Sequence, residues 1–218
     1  MEAVVERLAR SPRLAWIYRD LTAFWEKERK ARKAFYDSIE DGQKVEFING
    51  KTIVHSPDTA RHIEISKRIT TLLHAFVTER KLGKIFHEKA LISLARNDYM
   101  PDVNFYRSEK AELIEPTQLQ FPAPDLAVEI LSPSTARRDR GVKFNDYAAH
   151  GVTEYWIVDP EFRTVERYGI DLFGKYELLG KLSGDEIVQS AVLTGFKVPA
   201  RAFFDDAANL AALRKMLR

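Results

Sequence analysis

Asp125-Leu126-Ala127-Val128-Glu129-Ile130-Leu131 decides the reading of this chain. Side chains alternate across a strand, so Asp125, Ala127 and Glu129 share one face while Leu126, Val128 and Ile130 share the other. A glutamate inside so apolar a strand is costly to bury unless something pairs with it. Glu129 is therefore the residue to explain.

Its partner stands upstream, in Pro101-Asp102-Val103-Asn104-Phe105. If the two runs are antiparallel neighbours, the start of the first lies beside the end of the second. Asp102 then falls within roughly 5 Å of Glu129. Asp125 lies about 13 Å away along its own strand, at ~3.3 Å per residue, which is too far to share one ion. It is retained as a supporting residue, one that enters the strand or bonds a loop. Two converging carboxylates, Asp102 and Glu129, favour a hard cation such as Mg²⁺ or Mn²⁺. Such an ion activates water and neutralises charge on a phosphate. A nearby cation is then wanted, and Asp139 and Lys143 are neighbours at i,i+4 on the next helix. Lys143 reaches the pair if that helix packs across the strand ends; otherwise it is an exposed, salt-bridged lysine.

Around this centre the pattern is an α/β alternation. Lys44 to His55 reads as a hairpin about Asn49-Gly50, the strongest two-residue hairpin signal. A helix follows from Thr59 to Arg80, with Ile65, Ile69, Leu72, Leu73, Phe76 and Val77 as its apolar stripe. Residues 60–84 carry six Lys/Arg against two Asp/Glu, a local basic flank. Strand-like runs cover Lys84 to Leu94, Tyr99 to Arg107 and Asp125 to Leu131, with a polar loop from Ser108 to Pro124. A second helix spans Arg137 to His150, closed by Gly151, and Glu154 to Val158 is a strand. A β extension and a short helix, Ala207 to Leu217, complete an α/β fold with a mixed sheet flanked by helices.

The first 41 residues differ. Leu8, Leu14, Ile17, Leu21, Phe24 and Trp25 recur at helical spacing, interrupted at Ser11-Pro12. Nine Lys/Arg against eight Asp/Glu exclude a basic nucleic-acid arm. The division is a helical N-terminal extension, 1–41, and a body, 42–218. Of the 218 residues 45% are hydrophobic, enough for a core, and the absence of cysteine removes disulfides, thiolate nucleophiles and thiolate metal sites. A net charge of +2 says little about partners. No signal-peptide run and no stretch of ~20 apolar residues occur, which reads as a cytoplasmic protein with no membrane span.

Taken in order, Glu46-Phe47-Ile48-Asn49-Gly50, His62, Pro101-Asp102-Val103, Pro124 to Thr135, Asp139, Lys143, Tyr147, Gly151-Val152 and Glu154 to Pro160 resemble the Uma-type putative restriction endonuclease family, within the PD-(D/E)XK nuclease superfamily. No single tripeptide is specific, but the ordered set is, over about residues 43–200. The resemblance implies a restriction-endonuclease-like core, with Asp102 as the "PD" aspartate and Glu129 at the "(D/E)" position. Leu131 stands where the superfamily lysine is expected, and the resemblance makes Lys143 its substitute. His62 matches a family position as a contact to the site or as a helix cap. Glu46 borders the site or is a surface strand glutamate.

Three functions follow. The first is a Mg²⁺- or Mn²⁺-dependent DNA endonuclease using Asp102, Glu129 and Lys143, with Glu46, His62 and Asp125 in support. The second is an inactive nuclease-fold module binding nucleic acid or a protein. The third is a small-molecule metallohydrolase. Cutting both strands with one site per chain calls for a homo-oligomer, a dimer, to which the helical N-terminus offers an interface.

Overall fold

We describe the protein from a computed structural model over residues 2–40 and 42–217. Met1, Asp41, Arg218 and the side chains of Glu2 and Ala3 lie outside the described residues, and so does the expected boundary at residue 41. The chain opens with two helices, α1 (Glu2–Ala9) and α2 (Leu14–Asp37). The break falls at Ser11-Pro12 as expected, although α2 starts only after Arg13, whose amide bonds the Ser11 hydroxyl. The second half of α2 packs on the body. Phe35 is buried against Phe47, with ring centroids 5.5 Å apart, and Arg32 holds both oxygens of Asp98 at 2.7 and 2.8 Å.

Strands β1 (Val45–Ile48) and β2 (Lys51–Val54) form the hairpin. Its turn needs positive φ at both central residues, and Asn49 and Gly50 supply 51° and 79°. Helix α3 (Ala60–Arg80) is capped by the Thr59 hydroxyl, which accepts from His62 N. Two of the expected strands divide. Residues 84–94 become β3 (Gly83–His87) and β4 (Leu91–Ser93), and 99–107 become β5 (Asp98–Tyr99) and β6 (Val103–Arg107). The halves enter different sheets, separated by Glu88 at φ 63° and by Pro101, which offers no amide to a ladder.

The loop after β6 contains a short helix, α4 (Ser108–Ala111), and β7 (Gln120–Phe121), which composition did not reveal. Then come β8 (Leu126–Ile130), α5 (Ala136–Arg138), a π turn (Asp139–Lys143), α6 (Phe144–Ala149) and β9 (Glu154–Asp159). The remainder is β10 (Thr164–Ile170), β11 (Tyr176–Ser183), β12 (Ile187–Gln189), β13 (Lys197–Pro199) and α7 (Asp206–Met216).

The six-stranded sheet runs β11-β10-β9-β8-β6-β3 and is mixed, because β8 and β9 are parallel while their neighbours are antiparallel. Helix α3 covers one face, setting Ile69, Leu72 and Phe76 on Val103, Val128 and Trp156. The other face carries Ala127, Tyr155 and Ile157, and meets Ile48, Tyr99 and Tyr147 from the five-stranded sheet and α6. Ala127 and Glu129 share a face, so Glu129 enters the space between the sheets. No helix among the described residues is long and apolar enough to cross a membrane.

Candidate active site

Register places the first pair. Strands β6 and β8 match Val103 with Val128 and Asn104 with Ala127, so one further step sets Asp102 opposite Glu129. Asp102 Oδ2 accepts the Ile130 amide at 2.7 Å and lies 3.3 Å from His62 Nε2. Its Oδ1 accepts from Lys44 Nζ at 2.5 Å. His62 Nε2 is also 3.1 Å from the Ile130 carbonyl, so the first turn of α3 is tied to the end of β8.

Lys143 closes the second half of the site. It ends the π turn, is fully buried, and its Nζ lies 2.8 Å from Glu46 Oε1, 2.9 Å from Glu129 Oε1 and 3.3 Å from Asp139 Oδ1. Tyr147, one turn further along, donates to the same Glu129 Oε1 at 3.1 Å. The expected continuous α-helix is thus interrupted where it matters: a π turn is a rare local widening, frequent at functional sites, and here it carries both Asp139 and Lys143.

Glu46 is not a surface strand glutamate. It is completely buried, accepts the Met100 amide at 3.0 Å, and its Oε2 lies 2.9 Å from His55 Nε2. Asp125 has the strand-entry, loop-bonding place that its distance from Glu129 implied, although not a supporting role at the site. It stands at the other end of β8, where it accepts the Arg107 amide at 2.9 Å and pairs with Lys110 at 3.1 Å. It ties a loop and takes no part in the cluster.

Four carboxylates, Glu46, Asp102, Glu129 and Asp139, thus share two ammonium groups, Lys44 and Lys143. Fully ionised, the four would leave two negative charges for His55, His62 or an added cation to balance. Burial alone would lower the Lys143 pKa, but Glu129, Glu46 and Asp139 more than reverse it and hold it well above its ordinary value. Lys143 is therefore a fixed positive charge rather than a base. Burial pushes Glu129 up; Lys143 draws it back, yet Asp139, Asp102 and Glu46 add to the rise, and the net shift is well upward. Both Asp139 oxygens are buried without a hydrogen-bond partner, and Glu129 Oε2 has none among the described residues.

Outside this cluster lies a cleft of about 1110 Å³, bordered by the hairpin end, the start of α3 and the Ser132-Pro133-Ser134-Thr135 loop. His55 and His62 line it and touch Glu46 and Asp102, so they connect cleft and carboxylates. Asp102 and Glu129 themselves are each only 3% exposed. No group of three or more His, Cys, Asp or Glu arranged to hold a metal occurs among the described residues. The donor set nonetheless suits a magnesium-class ion, which typically takes one or two carboxylates and completes its shell with water and phosphate. Lys44 marks the same preference as a stand-in cation. Burial would lower its pKa, but the charges of Asp102 and Glu129 outweigh that and raise it.

Lys44 and His55 are not singled out by the sequence, and Asp139 enters as a neighbour of Lys143 and as a position of the family resemblance, without a role at the site. A signal existed for the first two. A two-residue Asn-Gly turn fixes hairpin register, which sets Lys44 beside His55 and puts Glu46 on their face.

The Uma2 family, described as "Putative restriction endonuclease", matches residues 32–201. An uncharacterised protein of Synechocystis sp. is 28% identical over 129 residues, 58% of this chain and 72% of that protein. The crystal structure of a putative nuclease belonging to DUF820, from Anabaena variabilis, superposes with a TM-score of 0.67 at 20% identity, covering 82% of this chain and 96% of that one. At that identity the likeness establishes the fold, a restriction-endonuclease-like α/β core. Because the match extends over most of the sequence, this chain belongs to the Uma2 family.

Proposed function

We propose that this protein is a divalent-metal-dependent DNA endonuclease that hydrolyses phosphodiester bonds at the base of the cleft. The observation that carries the reading is the convergence of Asp102, Glu129 and Lys143 behind His55 and His62, which line a cleft of about 1110 Å³. Mg²⁺ or Mn²⁺ held by Asp102 and Glu129 would supply a Lewis acid and an activated water. The chain's own groups do the rest. Lys143, pinned by three carboxylates, keeps a permanent positive charge to counter negative charge developing on the phosphate. The Ile130 amide and His62 orient Asp102, and Lys143 with Tyr147 occupies Glu129 Oε1 and leaves Oε2 for a ligand. Lys44, which now pairs with Asp102 Oδ1, would have to give up that oxygen for Asp102 to hold the cation. The protein works in the cytoplasm, as a dimer when both strands are cut.

A second reading, an inactive module that binds nucleic acid or a partner, draws on one observation: the carboxylates are almost closed to solvent. Plasmid nicking with Mn²⁺ separates the two. Wild type should nick supercoiled DNA, and Glu129→Gln and Asp102→Asn should both reduce nicking to background. Retarded migration of DNA without nicking by any form would leave the inactive module standing instead.

A further inference from the structure

The face of α2 that packs on the body does not end where the body ends. Glu28, Arg32, Phe35 and Tyr36 meet the protein, and the same stripe, read back at spacings of three and four, is Trp25, Phe24, Leu21, Tyr18, Ile17 and Leu14. There its one cation–ring contact among the described residues is Arg96 over the Phe24 ring, at 5.5 Å, and most of the stripe stays open. Tyr18 is 70% exposed, Leu21 56%, Phe24 51% and Trp25 48%. So concentrated an apolar surface marks an interaction site rather than an ordinary scatter of exposed residues. These residues also precede the part of the chain that matches the family, which starts at residue 32. The stripe thus lies outside the part of the chain that matches the family.

We infer that the stripe from Leu14 to Trp25 is the surface through which two copies of this chain pair, helix against antiparallel helix about a twofold axis. The charges nearby, Arg19 and Asp20, lie off the stripe and bond each other at 3.0 Å, so identical copies bring no like charges together. A twofold contact requires a self-complementary patch, and a continuous apolar ridge is one. Its length is about 18 Å for twelve residues at ~1.5 Å each. Aromatic side chains bury about 150–250 Å² when covered. With half of that available at three aromatics, and two leucines added, each copy contributes on the order of 500 Å². The pair then buries about 1,000 Å², the lower bound of a specific interface. A nucleic-acid partner is disfavoured by the balanced charge of residues 1–41. The inference stands whether or not the protein cleaves DNA.

The test is sedimentation equilibrium on the full chain. Wild type should run at twice the chain mass. Leu21→Glu combined with Trp25→Glu should halve that mass without changing the circular dichroism, because both side chains are exposed. Ala23→Glu, on the opposite face of α2, should leave the mass doubled. The chain has no cysteine, so Leu21→Cys gives a unique thiol, which a short bis-maleimide should cross-link across the axis far more efficiently than Ala23→Cys. Wild type at the single-chain mass would overturn the inference and point to a different protein on the stripe. A doubled mass in the Glu double variant, or equal cross-linking at positions 21 and 23, would also overturn it.

Discussion

Glu129 and Glu154 are both buried on neighbouring parallel strands, and the protein treats them in opposite ways. Glu154 is saturated. It accepts from Trp156 Nε1 at 2.8 Å, Ser190 Oγ at 2.6 Å, the amides of Ala191 and Val192 at 2.8 and 3.2 Å, and Arg167 at 3.2 Å. Both of its oxygens are engaged, and it binds the β12 region to the sheet. Glu129 has two donors, both on Oε1, and three further carboxylates crowd around it. A saturated buried carboxylate holds a fold together. An undersaturated one beside a cleft stores unmet demand for positive charge, as a ligand site requires.

The contrast can be broken by mutation, and the largest effect should fall on Glu154. Replacing it by Ala leaves Arg167 and several amides without an acceptor, and should cost about 3–5 kcal/mol of stability in urea unfolding. A loss under ~1 kcal/mol would mean that saturation was not structural. The next effect concerns the cation. Mn²⁺ at about 100 times its dissociation constant should stabilise wild type by about 2.7 kcal/mol in thermal unfolding and leave Asp102→Asn unmoved. Equal stabilisation of both proteins would place the ion elsewhere.

A smaller effect than at Glu154 is expected at Glu129. Glu129→Gln removes one charge from a crowded cluster and keeps a hydrogen-bonding oxygen. Stability without metal should stay within about 1 kcal/mol of wild type, or rise. A loss as large as that of Glu154→Ala would make the two glutamates equivalent. The smallest effect is on pH dependence. Burial pulls the His62 pKa down, but the hydrogen bond and charge of Asp102, with Asp58, outweigh it and leave it raised above 6.5. A raised histidine pKa contributes stability that is fully present below the unfolded value and is lost as pH rises through the folded one. Between about pH 6 and about pH 8, wild type should therefore lose more stability than His62→Gln. Parallel curves would show that His62 is not coupled to Asp102.

Much of this was legible in residue order. The Asn49-Gly50 turn, the helix over residues 60–80 and the meeting of Asp102 with Glu129 follow from periodicity and strand pairing, which are local or nearly so. Even the burial of Glu46 had a local sign, because it sits among Val45, Phe47 and Ile48 in the way Glu129 sits among its neighbours. What residue order could not rank was the company these side chains keep. Lys44 meets Asp102 across 58 positions, and Lys143 meets Glu46 from within the β8–β9 crossover. Those meetings depend on two strands dividing between two sheets and on one helix loosening into a π turn. A side chain's charge, size and face are intrinsic to its sequence neighbourhood. Whether a buried carboxylate ends with five donors or with three competing acids is set by packing between segments far apart in the chain, and only the tertiary structure decided it.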